Sequence, residues 1–145
     1  AADVVTLTAG GNDLIRAAMR MYIQGETRSM KPPMRAFALA YKELLAELVA
    51  VQRTLEREDA YIVVADCYNP FPQVRDAVLW ISFVNRCIHR CAAAYGGKVL
   101  VARAYDAFFG REAYLFADDG VHPNEEGHAT LAGCVAEAKA PVKGG

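Results

Sequence analysis

Net charge is almost absent. Sixteen lysines and arginines stand against 17 aspartates and glutamates, leaving −1 at pH 7. A surface that holds a nucleic acid backbone carries a basic excess, so no nucleic acid partner is expected. Long apolar runs are lacking as well. No stretch approaches 18 residues, so no membrane span is expected. A charged n-region followed by an apolar h-region, the mark of a secretory signal, is not visible. Serine is scarce, with only Ser29 and Ser82. The four cysteines, Cys67, Cys87, Cys91 and Cys134, include no Cys-x-x-Cys pair. On a helix His89 faces a different side from Cys87 and Cys91, so no metal site is expected from that cluster. Reduced, mostly buried thiols acting as small hydrophobes favour a cytoplasmic location slightly and are compatible with a secreted protein.

What is present suffices for a folded core. Of the 145 residues 54% are hydrophobic and 23% charged, which excludes a disordered chain. Area scaling at this mass lets about two thirds of the surface be buried without disulfides or metal. The length points to a single domain over residues 1–145. Asp3 to Thr8 is β-branched and nearly continuous, as expected of a strand buried on both faces. A glycine-rich turn follows, then a short helix over Leu14 to Ile23. Pro32-Pro33 opens a long amphipathic helix that carries Phe37, Tyr41, Leu45, Leu48 and Leu55 at helical spacing and runs to about Glu58. Tyr61 to Ala65 is a second buried strand, ended by the breakers of Asp66-Cys67-Tyr68-Asn69-Pro70. A third helix spans about Val74 to Tyr95, with Trp80, Ile81, Val84 and Ile88 inward. Lys98 to Ala102 is a third strand, Arg103 to Gly120 a mixed loop, and Asn124 to Lys139 a last helix before the tail from Pro141.

Strands alternating with helices of this length imply parallel β-α-β units with right-handed crossovers: an α/β fold in three α/β/α layers. In such sheets ligands bind outside the carboxyl ends of the strands. The polar punctuation collects there. Asp119 and His122 stand three apart before a helix, and a carboxylate beside an imidazole fixes its tautomer and stabilises the imidazolium. Asn12 follows the first strand among glycines, where its amide can donate to a developing oxyanion. Each residue also has a plain reading: a turn or cap for Asn12, a turn for Asp119, a surface position for His122.

Taken in order, these residues resemble one family. Gly10-Gly11-Asn12-Asp13 after the first strand is similar to the Gly-x-Asn-Asp block of the SGNH, or GDSL-type, esterases and lipases. Asp119-Gly120-Val121-His122-Pro123 resembles their Asp-x-x-His-Pro block, and Tyr68-Asn69-Pro70 the Tyr-Asn-Pro of many members. The resemblance covers essentially the whole chain and implies a flavodoxin-like parallel sheet. By that resemblance His122 is the general base, Asp119 orients it, Asn12 is an oxyanion-hole donor and Gly10 gives the turn before it. The implied reaction is hydrolysis of a small-molecule or lipid ester through an acyl-enzyme, with no cofactor.

The chain departs from the family in lacking the Gly-Asp-Ser block that carries the nucleophile, and the second block that supplies an oxyanion-hole glycine. Ser29 lies in a polar loop and Ser82 inside a helix, and neither follows Gly-Asp. Cys67, after a strand at the ligand edge, is an alternative nucleophile, although a cysteine buried in apolar surroundings is usually inert. The expectation is therefore the C-terminal part of an SGNH hydrolase domain, its N-terminal strands missing, with which the abrupt start at Ala1 agrees. A companion N-terminal fragment or a second copy is expected to cover the edge strand at residues 4–8, and the chain alone is expected to be inactive. A reading of a different class is a non-catalytic α/β domain acting through assembly or small-molecule binding. Trp80, Tyr41 and Phe37 read as core. Phe108, Phe109, Tyr114 and Phe116, before Asp119, either line a substrate pocket or pack.

Overall fold

The computed structural model describes residues 3–25, 29–54 and 60–139. Three parallel strands, β1 (Val4–Thr8), β2 (Tyr61–Ala65) and β3 (Val99–Ala102), form one sheet in the order β1-β2-β3. β1 pairs with β2 in register from Val4–Tyr61 to Thr8–Ala65, and β2 with β3 from Ile62–Val99 to Ala65–Ala102. The helices are α1 (Gly11–Tyr22), α2 (Lys31–Thr54), α3 (Arg75–Ala93), α4 (Ala104–Phe108), α5 (Glu112–Leu115) and α6 (Glu125–Lys139), with a 3₁₀ turn at Gly96–Lys98 before β3. The α/β reading and its strands hold. The sequence placed the end of α2 at about Glu58 and a frayed tail from Pro141; positions 55–59 and 140–145 lie outside the described residues.

The chain alternates because its apolar residues do. Leu45, Val49 and Tyr41 recur at helical spacing on α2, and Val84, Ile88 and Ala92 on α3. They pack on Ile62, Val64 and Val99 of the sheet to form the larger core. The opposite pleat, Val63, Ala65 and Ala102, meets Cys134 and Val135 of α6. Helices thus cover both faces, which is why β2 is apolar at every position.

β1 departs from the sequence reading. It is not buried on both faces: Val5 and Leu7 pack against the larger core, while Thr6 and Thr8 are exposed. The reason lies in the second layer. α6 lies over β2 and β3, and Val4 is the residue of β1 that reaches its cluster. Among the described residues β1 is hydrogen-bonded on one side, to β2, so it is an edge. The stretch read as a mixed loop also holds structure. α4 and α5 are single turns of five and four residues, too short to show a period.

The end of β2 is held by buried polar groups. The Asn85 amide, on α3, accepts from the Cys67 N–H at 2.7 Å and donates to the Cys67 carbonyl at 2.8 Å. Asp66 is buried and accepts from the Tyr105 N–H at 2.8 Å and from His89 Nε2 at 2.9 Å. A buried carboxylate is tolerable only with such partners. Asn85→Leu keeps the volume but leaves the Cys67 N–H and C=O unsatisfied. Urea unfolding is expected to show a loss of about 2–4 kcal/mol, one buried backbone orphan costing about 1–3 kcal/mol.

Candidate active site

Gly10 ends β1 with φ of 113°, a left-handed conformation that caps α1. It is also crowded: a Cβ there would come within 2.8 Å of the Phe37 ring and 3.5 Å of Val84. Glycine is thus required twice over, by backbone angle and by space. The tight bend lets α1 begin at once, and Asn12 stands exposed in its first turn.

Asp119 and His122 lie beyond β3 in a small hairpin. Phe116 and Pro123 form an antiparallel bridge, the Ala117 N–H donates to the His122 carbonyl at 2.8 Å, and the Gly120 N–H to the Ala117 carbonyl at 2.9 Å. Gly120 takes φ of 67° to close the turn. The hairpin is seated on α6. Asn124 caps that helix, its Oδ1 accepting from the Gly127 N–H at 2.9 Å while its Nδ2 donates to the Phe116 carbonyl at 3.2 Å. Gly127 permits the approach, since a Cβ there would stand 2.2 Å from the Leu115 carbonyl oxygen and 2.7 Å from Pro123 Cβ.

Inside the hairpin the carboxylate and imidazole meet. His122 Nδ1 is 2.6 Å from Asp119 Oδ2, and Asp119 Oδ1 accepts from the backbone N–H groups of Val121 at 2.8 Å and His122 at 2.9 Å. The His122 ring bond first, then those backbone donors, hold the Asp119 carboxyl down to about 2, from an ordinary 3.8. At neutral pH it is ionised and can only accept, so Nδ1 carries the proton and Nε2 is left as a base. Both side chains are well exposed, the histidine at 72%.

The sequence brought Asp119 and His122 forward, and the structure pairs them. It places Gly10 and Asn12 after β1, at the other side of the same strand-end edge, with the loop after β2 between. That middle loop holds what the sequence missed. Tyr68 stacks on Phe108 with ring centroids 4.7 Å apart and leans on Phe116 at 5.3 Å, while Phe108 and Phe116 are 5.6 Å apart. Burial raises the Tyr68 phenol pKa, followed by the charges of Cys67 and Asp119. The ring therefore links the end of the central strand to the hairpin. Of the aromatics before Asp119, Phe108 is core, Phe116 half-buried and Phe109 68% exposed; the Tyr114 side chain lies outside the described part. No sequence spacing joins Tyr68 to Phe116, because the contact is made across the sheet edge. The Asn124–Gly127 cap, by contrast, was readable as an Asn three residues ahead of a helical N–H.

The other candidates are placed plainly. Burial, then Asp66 and Asp13, pushes the Cys67 thiol up to about 12, and its Sγ lies 3.8 Å from the Ala9 carbonyl, so it has the character of an inert thiol. His89 is turned to Asp66, away from Cys87 and Cys91, as the helical spacing indicated. Among the described residues no group of three or more His, Cys, Asp or Glu is placed to hold a metal ion, and no helix is long and apolar enough to cross a membrane. Ser82 is exposed on α3 and Ser29 accepts the Lys31 N–H at 3.2 Å.

Comparison with known proteins places the chain in a family and gives its fold solved relatives. Residues 1–130 match the GDSL-like lipase/acylhydrolase family. The chain is 30% identical over 132 residues to the spore germination lipase LipC of Bacillus licheniformis, covering 90% of this chain and 60% of that protein. The crystal structure of the lipase Lip_vut3 from a goat rumen metagenome superposes with a TM-score of 0.79 at 25% identity, over 95% of this chain and 64% of that one. A family 3 carbohydrate esterase of Clostridium thermocellum shares the fold, with a TM-score of 0.57 at 21% identity, over 93% of this chain and 54% of that one. The chain thus spans under two thirds of the length of each.

Two outcomes are expected. In a ¹³C titration the Asp119 carboxyl has its midpoint near 2, and His122→Gln moves it up toward 3.8. Because the folded pKa is depressed, the pair's contribution is complete above the unfolded value and is lost as pH falls through about 2. Separately, Tyr68→Leu removes two ring contacts, each worth about 0.5–1.5 kcal/mol, and hydrogen exchange of the Ala117 and Gly120 amides is expected to accelerate roughly tenfold or more while β2 is unchanged.

Proposed function

The chain belongs to the GDSL-like lipase/acylhydrolase family, and from that premise we propose that it carries the proton-transfer part of a serine ester hydrolase whose nucleophile stands on a segment outside these 145 residues. The observation that carries the reading is the Asp119–His122 pair, a 2.6 Å contact that leaves Nε2 facing away from the carboxylate as a base. The serine hydroxyl gives its proton to His122 Nε2 as its oxygen bonds to the ester carbonyl carbon. The negative charge that moves onto the carbonyl oxygen is met by the Asn12 amide, held at the edge by the bend at Gly10. Collapse breaks the bond to the alkoxide, which leaves with the proton from His122. A water molecule then repeats the sequence on the acyl-enzyme and frees the acid. Asp119 accepts the hydrogen bond from Nδ1–H throughout, remaining a carboxylate, and steadies the imidazolium.

The nucleophile-bearing segment would also be the companion of β1. Among the described residues no strand pairs with the other side of β1, and its outer pleat carries the exposed Thr6 and Thr8. No Gly-Asp-Ser occurs in the chain, and the chain spans 60% of LipC. In this reading residues 1–145 are the C-terminal portion of a hydrolase domain. A second copy across the same edge would cover it without supplying a serine.

Joining the chain to a segment with a strand and Gly-Asp-Ser tests this with a p-nitrophenyl ester. The 145 residues alone are expected to show no acyl-enzyme burst and the joined protein a clear one. His122→Ala in the joined protein is expected to lower kcat roughly 10⁴- to 10⁶-fold. Full turnover by the mass-verified chain alone, unchanged by Cys67→Ala, would show that no outside serine is needed.

A further inference from the structure

Ten bulky apolar side chains stand exposed among the described residues, and seven fall on α1, on the first half of α3, or in the turn before it. Met19, Tyr22 and Ile23 close α1, with Ile23 75% exposed; Phe71 and Val74 lead into α3, and Leu79 and Phe83 sit on its outer stripe. The two helices touch there. The Tyr22 ring is 5.7 Å from Trp80, and its hydroxyl donates to Asp76. Tyr22 thus brings the end of α1 against the first turns of α3, and the exposed apolar side chains fall on these two neighbouring segments.

The charge on these two helices is as uneven as the chain's total is even. α1 and α3 carry Arg16, Arg20, Arg75, Arg86 and Arg90 against Asp13 and Asp76, in a chain whose net charge is −1. On α3 the exposed stripe reads Arg75, Leu79, Ser82, Phe83, Arg86, Arg90, apolar side chains bracketed by guanidinium groups. Apolar side chains that enter an acyl layer, ringed by arginines at headgroup depth, are the makings of an interfacial anion-seeking surface. A nucleic acid would have no use for the apolar residues. A second copy docking through the same face would set like arginines against each other.

We propose that the α1–α3 face docks on an anionic lipid surface, with Leu79, Phe83, Met19 and Ile23 entering the acyl boundary and the arginines meeting headgroup phosphates. Both helices begin at the strand-end edge, α1 directly after Gly10, so the docked face adjoins the edge that holds Asn12. The inference rests on the ester-hydrolase reading only in making the lipid aggregate the source of the ester.

Flotation with vesicles of phosphatidylglycerol or of phosphatidylcholine tests it on the chain as it stands, with circular dichroism to confirm that each variant is folded. Binding to phosphatidylglycerol is expected to exceed that to phosphatidylcholine at least about tenfold at low salt and to fall as salt screens the arginines. Arg75→Gln and Arg86→Gln are each expected to weaken it roughly fivefold. The double variant Leu79→Asp, Phe83→Asp is expected to abolish it, while Val51→Asp, an exposed change in the last turn of α2, leaves it unchanged. Equal binding to both lipids, binding insensitive to these changes, or no binding by the folded chain overturns the proposal. So does a dimer in ultracentrifugation that Leu79→Asp, Phe83→Asp dissolves while no vesicle is bound. Ester hydrolysis by the joined protein is read on a soluble substrate, so failure here leaves that chemistry standing.

Discussion

One buried carboxylate organises the upper edge of this molecule. Asp66 ends the central strand with almost no access to water, and an isolated charge there would cost several kcal/mol. It is kept by donors from two directions, the Tyr105 N–H at the start of α4 and the His89 ring on α3. The strand, the helix that follows it and the segment that leaves β3 are thereby fixed to a single group. Asn85 repeats the arrangement one residue along, closing both backbone groups of Cys67. With residues 66 and 67 held, Tyr68 has a defined direction, and its ring meets Phe108 and Phe116. The position of His122 is thus inherited from the core through a series of short contacts, although the histidine itself is in solvent.

Two kinds of Asp–His contact occur in the same molecule and serve different ends. Asp66–His89 at 2.9 Å has a buried acid with a second donor on its other oxygen, and it ties elements together. Asp119–His122 at 2.6 Å is exposed, local in sequence and built within one hairpin. In open water a contact of that kind adds little to stability. Its value is orientational: the backbone donors of Val121 and His122 fix the carboxylate, and the carboxylate fixes the ring.

Much of this was legible because the signals are local. β2 was read to the residue, since its five apolar positions are bounded by breakers at Asp66 and beyond. The Asp119–His122 pair needed only a spacing of three, and Gly10 only its place after a strand. The cover over β1 was not legible. Val4-Val5-Thr6-Leu7-Thr8 has the composition of a doubly buried strand, and whether a helix lies over Thr6 and Thr8 depends on where α6 crosses, a matter set more than a hundred residues later. Asp66–His89 and Tyr68–Phe116 were illegible for the same reason. The helical spacing turns His89 away from the two thiols, but a sequence does not say what a side chain turned that way will meet. The one-turn helices α4 and α5 escaped because four or five residues have no period.

The strand order also decides which piece of chain can carry the base. Running steadily from β1 to β3 with crossovers of one hand, the first two connections lay α2 and α3 on the same side of the sheet. α6 lies on the other side. Only the connection after β3 changes sides, and it does so early, since Ala107 of α4 already packs in the α6 layer. Two single-turn helices and the hairpin then fill the passage before α6 begins. The base thus stands on the one connection among the described residues that joins the two helical layers, and the helix that covers β2 and β3 is also the one that seats the hairpin, through Asn124.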